Sequence, residues 1–97
     1  MHKHPTVYIL ASRRNGTLYV GVTSDLGARV DAHRRGVIEG FTKKYGITML
    51  VYHETHDTMA GATAREKQMK KWRRRWKLRL IEENNPDWRD LFAEICG

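Results

Sequence analysis

Residues 6–22 read TVYILASRRNGTLYVGV. Two runs rich in β-branched and aromatic residues, Thr6–Ala11 and Thr17–Val22, lie on either side of the pair Asn15-Gly16. Asn and Gly tolerate the positive φ angles that tight hairpin turns require. The stretch therefore predicts a β-hairpin at the start of the fold.

The residues that follow the hairpin favour a helix and then a third strand. Residues 23–25 offer hydroxyl and carboxylate groups that can cap a helix start, and Gly36 is suited to end it, so we predict a helix over Leu26–Arg35. Residues 37–46 carry two glycines and mixed polarity, which indicates a loop. Ile47–Glu54 has the composition of a strand.

The second half of the chain predicts helices. Apolar positions indicate an amphipathic helix from Asp57 or Thr58 to about Trp72 and a further helix over Trp76 to Ile81, with a break within residues 72–76. Pro86 disfavours helix at the residue before it, and residues 87–92 begin a last short helix. The order β-β-α-β-α-α-α predicts an α/β (α+β) fold, a small three-stranded antiparallel or mixed sheet flanked by helices, in one domain over residues 1–97.

Charge points to a polyanionic partner. The chain has 18 Lys and Arg against 11 Asp and Glu, a formal net charge of +7. Nucleic acid is the leading partner for a chain with this excess of positive charge, although many small basic proteins use Lys and Arg for solubility alone.

The sequence has neither an apolar run of about 18 residues nor a secretory signal, so we expect a cytoplasmic protein without a membrane partner. Cys96 is the sole cysteine, which excludes an internal disulfide and disfavours a structural zinc site.

Four residues form a candidate polar cluster. Tyr8 and Tyr19 lie on the two hairpin strands, and Arg29 and His33 lie four positions apart on one face of the next helix. Each residue alone has an ordinary explanation as a packing or surface residue. Together they could form one site.

The motifs around these four residues resemble those of the GIY-YIG nucleases. Thr6-Val7-Tyr8 stands at the first motif and Tyr19-Val20-Gly21 at the second, with Arg29 eight and His33 twelve residues after Gly21. Further segments are similar to the small stand-alone bacterial members, at residues 41–45, 64–72 and 85–88. The resemblance covers almost the whole chain.

The resemblance implies catalytic residues and a metal. It implies Tyr8, Tyr19, Arg29, His33 and Glu66 as the catalytic set, with Glu66 as the protein ligand of one Mg²⁺ or another divalent cation such as Mn²⁺. Either tyrosine would be the general base, Arg29 would hold the scissile phosphate, and His33 would assist proton transfer or orient a tyrosine. An ion pair with Lys70, four positions later, explains Glu66 equally well from the residues alone.

Basic residues predict a nucleic-acid surface. We expect it to consist of Arg13, Arg14, Lys43, Lys44, Lys67, Lys70, Lys71, Arg74 and Asn85. The alternatives are a solvated helix face for the basic run and a helix-terminating role for Asn85. Trp72 and Trp76 are expected to pack into the core rather than stack on bases.

Three functions are compatible with these observations. The first is a Mg²⁺-dependent endonuclease that acts on DNA with structure preference or weak sequence specificity, with RNA as an alternative substrate. The second is a nucleic-acid-binding module of the same fold with little or no catalysis. The third is a protein-interaction domain whose basic surface meets an acidic partner. A monomer is assumed, since nothing in the sequence indicates the oligomeric state.

Overall fold

A computed structural model describes residues 3–38 and 40–96, without the side chain of Cys96. The three strands are β1 (Thr6–Ala11), β2 (Leu18–Thr23) and β3 (Met49–Thr55). The helices are α1 (Leu26–Arg34), α2 (Phe41–Lys44), α3 (Met59–Lys70), α4 (Arg74–Asn84) and α5 (Phe92–Cys96). The sheet is antiparallel in the order β2-β1-β3, so the predicted class is confirmed and the mixed alternative is excluded.

The hairpin between β1 and β2 forms as predicted, with one difference in the role of its glycine. Asn15 adopts the positive φ, 57°, whereas Gly16 is buried against Ser12 and Arg13. A Cβ at position 16 would overlap the Ser12 hydroxyl. Gly16 is therefore needed for space rather than for its backbone angle.

The sheet is covered on both faces, because alternate residues of β1 point to opposite sides. Val7, Ile9 and Ala11 pack in one core cluster with Ala62 and Met69 of α3 and Ile81 of α4. Tyr8 and Leu10 pack in a second cluster with Val30 of α1, and α5 covers this side. The two clusters divide the molecule into an α3–α4 side and an α1–α5 side.

Local signals place the helix boundaries. The Asp25 side chain accepts a hydrogen bond from the Ala28 amide and caps α1, and Thr58 caps α3 through the Gly61 amide. Gly36 follows α1 with a φ of 70°. The predicted break between the long helices is confirmed, since Arg73 is extended, with a ψ of 148°.

Three expectations about local structure were wrong. The segment 37–46, predicted as a loop, contains the short helix α2. The last helix begins at Phe92 rather than near residue 87, because Trp88 has a positive φ of 53°. Trp72 packs against the core, but Trp76 retains 47% of its surface exposed.

The segment after α4 closes over the outer side of β3. Asn85 is 2% exposed, and its side-chain amide donates hydrogen bonds to the carbonyl oxygens of Val51 (3.2 Å) and Arg89 (2.9 Å). Its side-chain oxygen accepts a bond from the Arg89 amide at 3.0 Å. The prediction of Asn85 as a nucleic-acid contact is therefore corrected, because its polar atoms are buried and engaged within the fold.

Candidate active site

The register of the hairpin brings the two tyrosines together. Tyr8 pairs directly with Gly21, and Leu10 pairs with Tyr19. Tyr8 and Tyr19 are therefore diagonal neighbours on one face of the sheet, and their ring centroids lie 6.3 Å apart. Eleven positions of sequence separation become one side-chain contact.

Gly21 provides the space for the Tyr8 ring. A Cβ at position 21 would overlap Cζ and the hydroxyl oxygen of Tyr8. The Tyr8 ring is 1% exposed, so the surrounding core restrains it from moving aside. The glycine of the second motif is thus a packing requirement of the tyrosine of the first.

Helix α1 brings His33 to the tyrosines. His33 is buried, and its Nε2 lies 3.2 Å from the hydroxyl oxygen of Tyr8. The imidazole centroid is 5.6 Å from that of Tyr19 and 6.1 Å from that of Tyr8. The three rings thus form one cluster between β1, β2 and α1.

Thr42 of α2 is the site residue that the sequence reasoning missed. Its hydroxyl oxygen lies 2.9 Å from Nδ1 of His33, and both residues are buried. A neutral imidazole has one donor and one acceptor nitrogen, so the chain Thr42–His33–Tyr8 can carry its protons in either direction. No spacing rule connects positions 33 and 42, because the contact depends on how α2 folds back.

Burial and nearby charges tune the groups in this cluster. Burial lowers the pKa of His33, and the positive charge of Arg29 lowers it further, so the imidazole is neutral at pH 7. Burial raises the pKa of Tyr8, electrostatic interactions with Tyr19 and Glu66 act in the same direction, and the positive charge of Arg29 opposes them. Arg29 and Glu66 are thus electrostatic neighbours of the Tyr8 phenol, with the Arg29 side chain at the exposed surface.

Helix α3 supplies the carboxylate from the other side of the sheet. It packs against β2 and β1, and β2 is an edge strand. Glu66 has 13% of its side chain exposed and pairs through Oε2 with Lys70 Nζ at 2.9 Å. Lys70 Nζ also lies 5.9 Å from the centroid of Tyr19, so the Glu66–Lys70 turn of α3 reaches the tyrosine cluster.

Comparison with known proteins identifies the family of this fold. The family model of the GIY-YIG catalytic domain matches residues 4–79, a span that contains both tyrosines, Arg29, His33 and Glu66. This chain belongs to the GIY-YIG family. Membership gives it a nuclease-type fold, and nucleic acid is the substrate class of that domain.

Similar proteins carry the name UPF0213. Those of Staphylococcus aureus strains Mu3 and N315 are 42% identical over 77 residues, which cover 79% of this chain and 93% of theirs. The solution structure of a UPF0213 protein from Bacillus halodurans superposes with a TM-score of 0.56 at 26% identity, covering 90% of this chain and 92% of that one. The similarity to that solved structure thus covers most of this chain.

Glu66 fits a metal that takes few protein ligands. Within residues 3–38 and 40–96, no three His, Cys, Asp or Glu side chains are grouped to hold a metal ion together. Mg²⁺ is often bound in proteins by one or two carboxylates, with waters and substrate phosphate oxygens completing its shell. A single carboxylate beside the GIY-YIG tyrosines is compatible with that mode, and the Lys70 ion pair shows that the alternative role of Glu66 is also present.

The predicted basic residues remain on the surface after folding. Those whose side chains are exposed are Arg13, Arg14, Lys43, Lys44, Lys67, Lys70, Lys71 and Arg74. Arg74 differs from the others, because its guanidinium donates to the carbonyl oxygens of Asn15 and Gly16 at 2.7 and 2.6 Å. It therefore holds α4 against the hairpin loop of the GIY-YIG domain.

No helix in the described part of the chain has the length and apolar character needed to cross a membrane.

Proposed function

We propose that this chain is a divalent-metal-dependent endonuclease that hydrolyses phosphodiester bonds in DNA, with structure preference or weak sequence specificity. The observation that carries the proposal is the cluster of three rings from β1, β2 and α1. Tyr8, Tyr19 and His33 are in contact there, and the charges of Arg29 on α1 and Glu66 on α3 act on the Tyr8 phenol. Phosphodiester hydrolysis needs a base, a phosphate clamp and charge stabilisation, and this set contains one candidate for each.

Arg29 is proposed to hold the scissile phosphate. Its side chain is exposed, yet its charge acts on both Tyr8 and His33. A guanidinium donates two parallel hydrogen bonds to phosphate oxygens and stays charged at any physiological pH. Arg29 can therefore contact substrate above the ring cluster and stabilise negative charge on the phosphoryl group.

Tyr19 is proposed as the general base. Its ring is half-buried and accessible to water, whereas Tyr8 is 1% exposed. A phenol acts as a base at neutral pH only with positive charge beside it, and Lys70 Nζ lies 5.9 Å from the Tyr19 centroid. The Tyr19 phenolate takes a proton from water while the water oxygen bonds to phosphorus, and the departing oxygen takes a proton from solvent.

Tyr8 and His33 are proposed to position Tyr19 and the phosphate clamp. The raised pKa of Tyr8 keeps its phenol protonated, and the phenol can donate to Nε2 of the neutral His33. In that arrangement Nδ1 carries the proton and donates to Thr42. The hydrogen bonds among Thr42, His33 and Tyr8 thus fix the buried side of the site, on which the substrate would lie.

Glu66 is proposed to hold the cation, Mg²⁺ or Mn²⁺. When bound, such a cation supplies Lewis-acid stabilisation of charge on the phosphoryl and departing oxygens. The chain contributes one carboxylate, restrained by Lys70 at 2.9 Å and mostly shielded from bulk water.

Two variants separate the metal role of Glu66 from its ion-pair role. Glu66→Gln and Lys70→Gln both remove the same ion pair, but only the first removes the carboxylate. With branched, nicked and single-stranded DNA in Mg²⁺, we expect Glu66→Gln to lose cleavage by about 100-fold or more, as for removal of a transition-state-stabilising group. Lys70→Gln removes the charge beside Tyr19 but keeps the carboxylate, so it should lower cleavage less than Glu66→Gln does and should keep the requirement for Mg²⁺. EDTA should abolish cleavage by the unmodified protein.

The controls decide between the three functions. Glu83→Gln, on an exposed position of α4, should cleave like the unmodified protein. Equal activity in Glu66→Gln and Lys70→Gln would reject Glu66 as the metal ligand. Salt-sensitive DNA or RNA binding without any nicks would favour the binding module, and absence of nucleic-acid binding would favour a protein-interaction domain.

A further inference from the structure

Two exposed aromatic rings lie on the short segment that contacts His33 of the candidate active site. Phe41 and Tyr45 are each 50% exposed, and their centroids lie 4.9 Å apart at an interplanar angle of 53°. They are four positions apart, so α2 presents both rings on one side. Large apolar side chains in this fold are mostly buried, which makes an exposed pair of rings in one turn a feature to explain.

The pair is joined directly to the site. Thr42 follows Phe41 in α2 and contacts Nδ1 of His33 at 2.9 Å, and His33 in turn contacts Tyr8. Adjacent Cα atoms are about 3.8 Å apart. The helical turn that carries Phe41 and Tyr45 is therefore attached to the His33–Tyr8 pair through the buried Thr42.

The charge around the pair suits a nucleic-acid strand. Lys44 Nζ lies 5.4 Å from the Tyr45 centroid, and the side chains of Lys43 and Lys44 are exposed. Residues 40–53 contain no Asp or Glu. Aromatic faces interleaved with cations bind single strands through base stacking and phosphate contacts, whereas the bases of an intact duplex are already stacked on one another.

We propose that Phe41 and Tyr45 form a stacking platform for an unpaired base next to the phosphate in the candidate active site, so that the substrate is a nucleic-acid strand with unpaired nucleotides at the cleavage position. The inference rests on the proposed nuclease function and specifies its substrate class. It also accounts for α2, whose Thr42 faces His33 while its two aromatic neighbours face solvent.

The test measures binding without cleavage. In EDTA, a DNA oligonucleotide carrying 2-aminopurine, its RNA counterpart and the matching duplex are titrated with the unmodified protein and with Phe41→Ala, Tyr45→Ala and Tyr45→Phe. We expect Phe41→Ala and Tyr45→Ala to weaken single-strand binding by about five-fold or more, the lower end of the loss per stacked base, and to change duplex binding less than two-fold. Tyr45→Phe keeps the ring and should keep the affinity.

The spectroscopic signal separates stacking from a general loss of structure. Stacking quenches 2-aminopurine, so quenching should accompany single-strand binding by the unmodified protein and by Tyr45→Phe, and should decrease in the two Ala variants. Val37→Ala, at a position 59% exposed in the same segment, is the matched control and should behave like the unmodified protein. Unchanged thermal midpoints would show that α2 still folds.

Each remaining outcome is decisive. Equal weakening of single-strand and duplex binding, or no weakening, would overturn the platform, and so would absence of any nucleic-acid binding, which would point to an acidic protein partner. Quenching that depends on both rings in a protein that never cleaves with Mg²⁺ or Mn²⁺ would support the platform and reject the nuclease. Cleavage that is indifferent to Phe41 and Tyr45 would support the nuclease and reject the platform.

Discussion

At position 21 the absence of a side chain determines how the two motif tyrosines pack. Gly21 faces Tyr8 across the β1–β2 ladder, and the phenol of Tyr8 occupies the space that a Cβ would take. The same phenol contacts His33 at 3.2 Å. The arrangement of the Tyr8, Tyr19 and His33 rings therefore depends on the lack of a Cβ atom at position 21.

Gly21→Ala should damage both stability and activity. The added methyl must displace a fully buried ring, and overpacking of this kind costs about 1–3 kcal/mol of the free energy of unfolding. Displacing Tyr8 should also break its contact with His33 and lower cleavage by at least ten-fold. Urea unfolding and a nicking assay on the same preparation measure the two effects.

Gly61→Ala provides the control for this substitution. Gly61 is exposed in the first turn of α3, where its new Cβ would meet the Thr58 hydroxyl at 3.2 Å rather than a core ring. We expect a small change in stability and unchanged cleavage. A Gly21→Ala protein as stable and active as the unmodified one would show that Tyr8 does not need its observed position.

At the scale of elements, the end of α4 and the outer side of β3 depend on one amide. Asn85 donates to Val51 of β3 and to Arg89, and accepts from the Arg89 amide. Two residues after Arg89, the Leu91 amide donates to the Leu50 carbonyl of β3 at 2.8 Å. The C-terminal segment is thus attached to the sheet by hydrogen bonds as well as by the burial of Trp88.

Asn85→Ala should destabilise the protein without changing its affinity for nucleic acid. Removing the amide leaves buried backbone groups without partners, at a cost of about 1–3 kcal/mol. Asn84→Ala is the control, because Asn84 is exposed and its side chain donates to the Leu80 carbonyl of its own helix. Denaturant midpoints and fluorescence anisotropy with labelled DNA distinguish the outcomes. Lost DNA binding at unchanged stability would restore Asn85 to the binding surface.

At the scale of the whole molecule, the basic side chains behind the net charge of +7 differ in what they contact. Lys71 is exposed at the end of α3, whereas Arg74 holds the hairpin loop through two carbonyl oxygens. Both were predicted as nucleic-acid contacts from their position in the basic run. The structure gives them different surroundings, so their substitution should have different effects.

Salt dependence should separate these two residues. Lys71→Ala should reduce the slope of log affinity against log salt by about 0.7–0.9, the value for one lost phosphate contact, and leave stability unchanged. Arg74→Ala should also lower the free energy of unfolding by about 1 kcal/mol, since two hydrogen bonds to the hairpin are lost. Equal slopes for Lys71→Ala and the unmodified protein would remove Lys71 from the binding surface.

Much of the fold and of the candidate site could be predicted because the deciding signals are local. The Asn15 turn, the Asp25 and Thr58 caps and the break before Arg74 each depend on a few neighbouring residues. The motif pattern predicts Tyr8, Tyr19, Arg29, His33 and Glu66 as the site residues from the sequence alone. Helix α2 was missed because a helix of only four residues carries too weak a helical signal.

By itself the sequence determined the order of the strands and the longer helices, the antiparallel hairpin and membership of the GIY-YIG family, because turn, cap and motif chemistry act over short distances. Only the tertiary structure decided which tyrosine is buried, that Thr42 contacts His33, and that Asn85 turns inward while Trp76 remains exposed. Burial and hydrogen-bond partners are properties of residues distant in the chain. They exist only after the helices have packed on the two faces of the sheet.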